Sequence, residues 1–393
     1  MIKITNVRLR GKEGLYSVEI KGGSILNISE YSGETGDLNG MGNLLTESFA
    51  VPHLHIDKVE TGEMVENETV SIYQLGGGAD EAIRKAAEVK KHYDPEKIAA
   101  RVTEKFLQAV SNGVTFMRVF ADVDSYAELK GFLGVLRAKE RVKNFLDVEI
   151  VAFPQQGFFT DRGAEALVEE AIKNGADVVG GIPWIEKTEE DKKQHIRISL
   201  ELAKKYGKPA AFLVDDAPDP KLRTLEYLAD ETVKYGLQGK VEACHARALE
   251  VYDKESLFRT FEKVKEADIS LVTNPHTGKY HLPVQEALNY GINVALGQDD
   301  CNDAYYPYGS CSPLEIAFLA SHLLWMMDPD GREKIYDMIT WRAARAAGLE
   351  RKLEAGKRAD LVLLKRENVK HAIRYHERPA YVFREGLAVS ENL

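Results

Sequence analysis

The sequence has little cysteine and no long apolar run. Its 393 residues include only three cysteines, and none has the Cys-x-x-Cys spacing of a metal or redox motif. Three cysteines are too few for a disulfide framework in a chain of this length, which favours a reducing compartment. The most apolar stretch, residues 316–327, contains Ser321 and His322 and is shorter than the about 20 residues of a membrane helix. We interpret it as a buried helix.

The sequence also lacks an excess of positive charge. Its formal net charge is −10, the opposite of the electrostatic footprint of proteins that bind nucleic acid or anionic membranes. The first residues alternate apolar and polar side chains and lack the apolar run of a signal peptide. We therefore expect a cytoplasmic protein whose partner is a small-molecule substrate, not nucleic acid or membrane.

Between residues 44 and 300, short β-rich runs alternate with segments whose apolar residues recur at three- and four-residue steps, as in helices. Eight such runs begin at Leu44, Thr115, Asp147, Asp177, Pro209, Val241, Ile269 and Asn293. Eight β/α units in series predict an α/β fold with a closed TIM (β/α)8 barrel. A doubly wound open sheet is the alternative, but such sheets usually have five or six strands.

Strand-like segments also flank the predicted barrel at both chain ends. Residues 2–28 and 359–389 contain alternating runs that could pair with each other. We expect a small β-domain formed by residues 1–47 and 355–393 and a barrel domain formed by residues 48–354. A glycine-rich stretch, residues 76–78, lacks the Lys-Ser/Thr of a phosphate loop, and we interpret it as a flexible loop.

Polar residues end several of the predicted barrel strands, where TIM barrels carry their chemistry. His53 and His55 end the first run, and as residues i and i+2 of a strand they point to the same side, about 7 Å apart. Two such histidines can bind one metal ion, although two hydrogen-bonded core histidines would give the same pattern.

Asp299 ends the eighth run, beside the first strand once the barrel closes. With His53 and His55 it would complete a set of two histidines and one carboxylate, which leaves positions for water and substrate. A helix N-cap is the competing interpretation for the aspartates here, Asp300 and Asp303 included. His245 ends the sixth run and could contact the attacking hydroxide, or be a satisfied core histidine.

Several segments together resemble the cytosine deaminase branch of the amidohydrolase superfamily, which includes aminohydrolases of triazine breakdown. They are VPHLHIDK from Val51, VAFPQQG from Val151, GADVVGGIP from Gly175, GQDDCNDAYYPYG from Gly297 and GKRADLVLL from Gly356. The resemblance spans nearly the whole chain and implies a TIM-barrel hydrolase. It implies one bound zinc or iron ion and makes a homo-oligomer possible.

The resemblance also implies roles for individual residues. His53, His55 and Asp299 would bind the metal, and His245 and Asp299 would orient the hydroxide and take up its proton. Asp216 stands in place of the glutamate that moves protons in the family. Gln155, Asp300 and Tyr305 would bind the substrate, Gln155 at an amide or ring carbonyl and Tyr305 by stacking.

The chain departs from the family pattern at strand five. The family's His-x-x-Glu is Leu213-Val214-Asp215-Asp216 here, so a metal ligand is replaced by an apolar side chain. Three ligands should hold a metal less tightly than four. Asp216 could act as the proton shuttle, or Asp215 could substitute as a ligand after a strand shift. Phe120 stands where a strand-two histidine is common, and Gln298 replaces the histidine of Gly-His-Asp-Asp.

Together these observations predict a metal-dependent hydrolase, a deaminase, that cleaves a non-peptide carbon–nitrogen bond of a heterocyclic amine or cyclic amide through activated water. The resemblance favours release of ammonia over ring opening. The alternative is a metal-free or non-catalytic relative that binds a small planar ligand, since family alone does not decide activity.

Overall fold

The computed structural model describes residues 1–65 and 87–392. The glycine-rich stretch at 76–78 lies outside the described residues. Two eight-stranded sheets and the helices around them form the architecture.

The first sheet joins the two ends of the chain in a small β-domain. Its strands are Ile2–Leu9, Tyr16–Lys21, Ser24–Glu30, Leu38–Asn39, Leu44–Glu47, Leu361–Leu363, Tyr381–Arg384 and Leu387–Glu391. The strand Leu361–Leu363 pairs antiparallel with Leu44–Glu47, so the predicted pairing of the termini is confirmed. Apolar residues from both ends, including Ile4, Val18, Leu45 and Phe383, form one core cluster.

The second sheet is the predicted TIM barrel. Its strands one to eight are Phe49–Val51, Val114–Asp122, Asp147–Phe153, Val178–Gly181, Ala210–Val214, Val241–His245, Ser270–Thr273 and Val294–Leu296, each parallel to the next. A parallel bridge between Leu54 and Asp299 brings the first and eighth strands together and closes the barrel. This closure excludes the open doubly wound sheet.

Helices cover the outside of the barrel. Those between barrel strands are Gly62–Val65, Pro95–Ser111, Lys130–Val142, Ala164–Lys173, Glu189–Tyr206, Thr224–Tyr235, Lys254–Glu266 and Val284–Asn289. Further helices are Pro313–Leu323, Pro329–Asp337, Trp341–Ala346 and Val369–Tyr375. Short 3₁₀ turns are Pro183–Ile185, Arg247–Val251 and Pro275–Thr277.

The helix Pro95–Ser111 illustrates how the sequence specifies these elements. Asp94 caps it by accepting the backbone N–H groups of Glu96 and Lys97, and proline occupies the first turn, where no N–H partner is needed. Its residues at three- and four-residue steps, such as Ile98, Val102 and Phe106, are buried against the barrel.

Two predictions made from apolar runs need correction. The run that begins at Leu44 is split, because Leu44–Glu47 belongs to the small β-domain and the barrel starts only at Phe49. The stretch 316–327 is helical only as far as Leu323, and Trp325 beyond it is 78% exposed. Among the described residues, no helix combines the length and the apolar character needed to cross a membrane.

Candidate metal centre at the barrel mouth

The first and eighth strands meet at the carboxyl end of the barrel. The carbonyl of His53 accepts the N–H of Gln298 at 2.8 Å and of Asp299 at 3.1 Å, and His55 donates its N–H to the carbonyl of Asp299 at 2.7 Å. Gly297 permits this approach, since a Cβ there would lie 2.9 Å from Cβ of His53. Asp299 itself has a φ of +65°, and its side chain turns into the mouth.

Three side chains converge there. Nε2 of His53 lies 3.1 Å from Oδ1 of Asp299. One ligand atom from each of His53, His55 and Asp299 can be chosen so that all lie within 4.8 Å of one another. The structure thus brings together the two histidines and the carboxylate on which the metal hypothesis depends.

The protonation states of His53, His55 and Asp299 suit a metal ion. All three are buried, and burial lowers the pKa of His53 and holds that of His55 well below its ordinary value, so both imidazoles are neutral and offer lone pairs. Burial alone would raise the pKa of Asp299, but His245 and His53 hold it well below its usual value. Within the described part of the chain, Nδ1 of His53 and Nδ1 of His55 have no hydrogen-bond partner. Neutral imidazoles with orphaned nitrogens beside an ionised carboxylate fit a divalent cation.

His245 lies across the mouth from His53. Its Nε2 is 3.6 Å from Oδ1 of Asp299, and its Nδ1 is 3.4 Å from Oδ1 of Asp216. His245 has a φ of +72° and the following Ala246 a φ of +50°. Left-handed backbone at two successive non-glycine residues is unfavourable, and such conformations are concentrated at functional sites.

The two aspartates after strand five point in different directions. Asp215 accepts the N–H of Thr224 at 2.9 Å and of Leu225 at 3.0 Å, and so caps the helix Thr224–Tyr235. This corrects the suggestion that Asp215 could substitute as a ligand, because its carboxylate is occupied at the helix. Asp216, the next residue, faces His245.

Leu213 contributes to an apolar wall inside the barrel. It is buried in one cluster with Phe120, Phe153 and Cys244. The Phe120 ring lies 4.4 Å from the ring of His53 and 5.4 Å from that of His55. The departures from the family pattern at Leu213 and Phe120 therefore make this side of the site apolar.

The predicted substrate-binding residues lie at the ends of strands three and eight. Gln155 is two residues beyond strand three and is 4% exposed. Asp300 is buried, and burial together with Asp303 and Asp299 raises its pKa well above the ordinary value. Tyr305 is half-buried, with Nζ of Lys58 5.9 Å from its ring centre. Their roles stay predictions.

A buried ion network supports the loop after strand one. Nζ of Lys58 donates to Oδ1 of Asp122 at 2.8 Å and lies 3.8 Å from Oδ1 of Asp57. Lys90 adds a second buried ammonium, 2.5 Å from both Asp122 and Asp124. Buried charged side chains are tolerated when they are paired with opposite charges. These ion pairs therefore hold in place the segment that carries His55.

The sequence analysis missed a second set of residues at the mouth. Arg247 Nη1 lies 2.9 Å from Oδ1 of Asp216, and its Nη2 donates to Oγ1 of Thr277 at 2.8 Å. Thr277 in turn donates to Oδ2 of Asp299 at 2.5 Å. Both residues follow a barrel strand within a few positions, and that position is the signal that could have identified them.

A buried glutamate and histidine, also missed, position the loop after strand three. Oε1 of Glu186 accepts the N–H of Phe158 at 2.7 Å and lies 2.8 Å from Nδ1 of His195. His195 accepts the N–H of Ile182 on Nε2, so Nδ1 carries the proton. Gly157, at φ +79°, lets the loop approach the Glu186 carboxylate, since a Cβ at position 157 would lie 2.6 Å from Oε1 of Glu186. This loop also carries Gln155.

Comparison with known proteins agrees with this architecture. The model of the amidohydrolase family matches residues 64–389. The chain is 30% identical over 367 residues to the N-isopropylammelide isopropyl amidohydrolase of Pseudomonas sp. (strain ADP), covering 92% of this chain and 90% of that protein. It is 22% identical to the pterin deaminase of Rhizobium rhizogenes (strain K84 / ATCC BAA-868), over 88% of this chain and 80% of that one.

A similar crystal structure is that of 5-methylcytosine deaminase from Klebsiella pneumoniae liganded with 5-fluorocytosine. The two chains are 29% identical and superpose with a TM-score of 0.91. The structural alignment covers all of this chain and 98% of the other. The fold, the site geometry and these matches lead to one conclusion. The chain belongs to the amidohydrolase family, in its cytosine deaminase-like branch, and is a hydrolase that acts on carbon–nitrogen bonds.

Proposed function

We propose that this protein is a metal-dependent deaminase that hydrolyses an exocyclic carbon–nitrogen bond of a nitrogen heterocycle and releases ammonia. The observation that carries the proposal is the cluster of His53, His55 and Asp299, whose ligand atoms lie within 4.8 Å of one another beside His245 and Asp216. The relatives named above support the substrate class, since their names refer to an ammelide, a pterin and a methylcytosine.

His53, His55 and Asp299 would hold one zinc or iron ion. When bound, such an ion lowers the pKa of water to about 7 and so supplies a nucleophile near neutral pH. Oδ2 of Asp299 is engaged by Thr277, so Oδ1 is the atom directed at the histidines.

The protein's own groups would orient the substrate and move protons. Asp216 would carry the first proton of the attacking water to a ring nitrogen. His245 and Asp299 would orient the resulting hydroxide and accept its remaining proton, which Asp216 would pass to the leaving amine. Gln155 and Asp300 would hold the polar edge of the ring, and Tyr305 would stack on its face. Burial raises the pKa of Asp300, which favours the protonated carboxyl, a form that donates a hydrogen bond.

The apolar wall formed by Leu213, Phe120 and Phe153 would favour a substrate with an apolar edge. We also propose that the protein acts in the cytoplasm on a small molecule, as a homo-oligomer, and that the domain boundaries fall after residue 47 and after residue 354.

A metal-free relative that binds a small planar ligand is the second candidate. Leu213 in place of a ligand is the observation that favours it, because a leucine side chain has no lone pair to offer. Metal analysis of protein purified without chelator separates the two. Near-stoichiometric zinc or iron is expected for the deaminase, and protein without metal that cannot be reloaded would support the binding-only candidate.

A further inference from the structure

We propose that Arg247 sets the metal affinity of the site, because its guanidinium holds a fixed positive charge beside Asp299 that opposes a divalent cation. The inference rests on the proposed function, since it assumes that His53, His55 and Asp299 form the metal site.

The surrounding structure holds the guanidinium of Arg247 in a defined position at the barrel mouth. Arg247 begins the 3₁₀ turn Arg247–Val251, directly after the left-handed residues His245 and Ala246. Its side chain is 13% exposed. A Cβ at Gly278 would lie 2.7 Å from Cζ of Arg247, so glycine there leaves the space that the guanidinium fills.

Its contacts join the two carboxylates of the mouth. Nη1 lies 2.9 Å from Oδ1 of Asp216, and Nη2 lies 4.0 Å from Oδ2 of Asp299. Nη2 also donates to Thr277, whose hydroxyl donates to the same Oδ2 at 2.5 Å. Oδ1, the other oxygen of the Asp299 carboxylate, lies 3.1 Å from Nε2 of His53.

Arg247 therefore holds a permanent positive charge 4.0 Å from Oδ2 of Asp299, one of the proposed metal ligands. A guanidinium stays charged at every physiological pH. In a buried mouth, charges a few ångströms apart interact more strongly than in water. Arg247 thus neutralises part of the negative charge that would attract the metal, at a site that already has leucine in place of a fourth ligand.

Two variants separate the charge of Arg247 from its packing. Arg247→Gln removes the charge and keeps an N–H donor, whereas Arg247→Lys keeps the charge and loses the planar fork. Zinc affinity is measured by competition with a chromophoric chelator at constant pH and ionic strength. We expect at least about tenfold tighter zinc binding in Arg247→Gln and wild-type affinity, within about threefold, in Arg247→Lys. Arg374→Gln, the same change at an exposed arginine, is the matched control and should not alter the affinity.

The double variant Asp216→Asn with Arg247→Gln tests a different explanation for tighter zinc binding in Arg247→Gln. Loss of the ion pair could free Asp216 to become a new ligand. Because Asp216→Asn also removes a negative charge from the mouth, the double variant is compared with Asp216→Asn alone. Tighter zinc binding in the double variant than in Asp216→Asn supports the charge effect, and equal binding in the two overturns it. Unchanged or weaker zinc binding in folded Arg247→Gln also overturns the proposal.

The same assay on His55→Ala keeps this inference distinct from the proposed function. If His55→Ala binds zinc as wild type does, the metal site itself is wrong. If His55→Ala loses zinc while Arg247→Gln matches wild type, the metal site stands and only the role of Arg247 fails.

Discussion

Nε2 of His53 lies 3.1 Å from Oδ1 of Asp299, although 246 positions separate the two residues in the chain. The contact joins the first and eighth barrel strands, and the backbone hydrogen bonds from Gln298 and Asp299 to the carbonyl of His53 surround it. Closure of the barrel and assembly of the candidate metal site are therefore the same structural event. A substitution that disturbs barrel closure should therefore also disturb the metal site, and a substitution at the metal site should also affect closure.

Replacement of His55 by alanine should remove bound metal and hydrolysis. His55 is buried against the rings of Phe120 and Phe153, so the truncation should also lower the free energy of unfolding by about 1–3 kcal/mol without unfolding the protein. Metal content of the folded fraction, measured by atomic spectroscopy, is the readout. His92→Ala, at an exposed histidine, is the control. Wild-type metal content in His55→Ala would refute the ligand assignment.

The double variant Leu213→His with Asp216→Glu should hold metal more tightly and gain activity on cytosine-like substrates. Leu213 is buried in the same apolar cluster as Phe120, whose ring contacts both histidines, so we expect an imidazole at position 213 to point toward the metal site. The added methylene at residue 216 lengthens the proton shuttle, and general-base geometry tolerates little misplacement. Asp216→Glu alone serves as control, because it adds no ligand. Equal metal affinity in wild type and double variant would show that Leu213 does not face the metal.

Glu186→Ala should destabilise the loop after strand three. The variant leaves His195 and the N–H of Phe158 without their buried acceptor, a loss of about 1–3 kcal/mol in the free energy of unfolding. Urea denaturation measures this loss, and hydrogen exchange should quicken in residues 157–160. Glu190→Ala changes an exposed glutamate nearby and should stay within about 0.5 kcal/mol of wild type. Equal stabilities of the two variants would contradict the positioning role of Glu186.

Asp303→Asn should stabilise the protein increasingly as the pH rises. Burial raises the pKa of Asp303 from 3.8 to about 6. Between these pH values the folded state keeps a proton that the unfolded chain has released, so the contribution of Asp303 to stability falls as the pH rises. Asparagine keeps the oxygen that accepts the N–H groups of Tyr305 and Tyr306, and it has no proton to lose.

The readout for Asp303→Asn is the Tm difference between variant and wild type. We expect a larger difference at pH 7.5 than at pH 4.5. Asp219→Asn, at an exposed acid in another loop, is the control. A difference that is the same at both pH values would contradict the raised pKa of Asp303.

The sequence was sufficient to predict the barrel and the meeting of His53, His55 and Asp299. An i, i+2 pair shares one face of a strand, and closure places the eighth strand beside the first, so both features follow from regular geometry. The orientations of Asp215 and Asp216 do not follow in this way. Asp215 has a φ of +45°, which ends the strand alternation, and its carboxylate turns to the next helix.

The roles of Arg247 and Thr277 depend on irregular backbone as well. Arg247 reaches Asp216 because two left-handed residues precede it, and Thr277 reaches Asp299 from a 3₁₀ turn. Neither conformation has a sequence signature as clear as the periodicity of a strand or a helix. The start of barrel strand one was also misplaced, because one apolar run from Leu44 covers both Leu44–Glu47 of the small β-domain and Phe49–Val51 of the barrel.

The most direct test of the account is ammonia release from a panel of aminated pyrimidines, pterins and triazines, by protein stripped of metal and by the same protein reloaded with zinc or iron. We predict that at least one compound releases ammonia, that stripping abolishes the release, and that reloading restores it in wild type but not in His55→Ala. Release that is unaffected by stripping, or no release from any compound by fully loaded protein, would contradict the proposed metal-dependent deaminase.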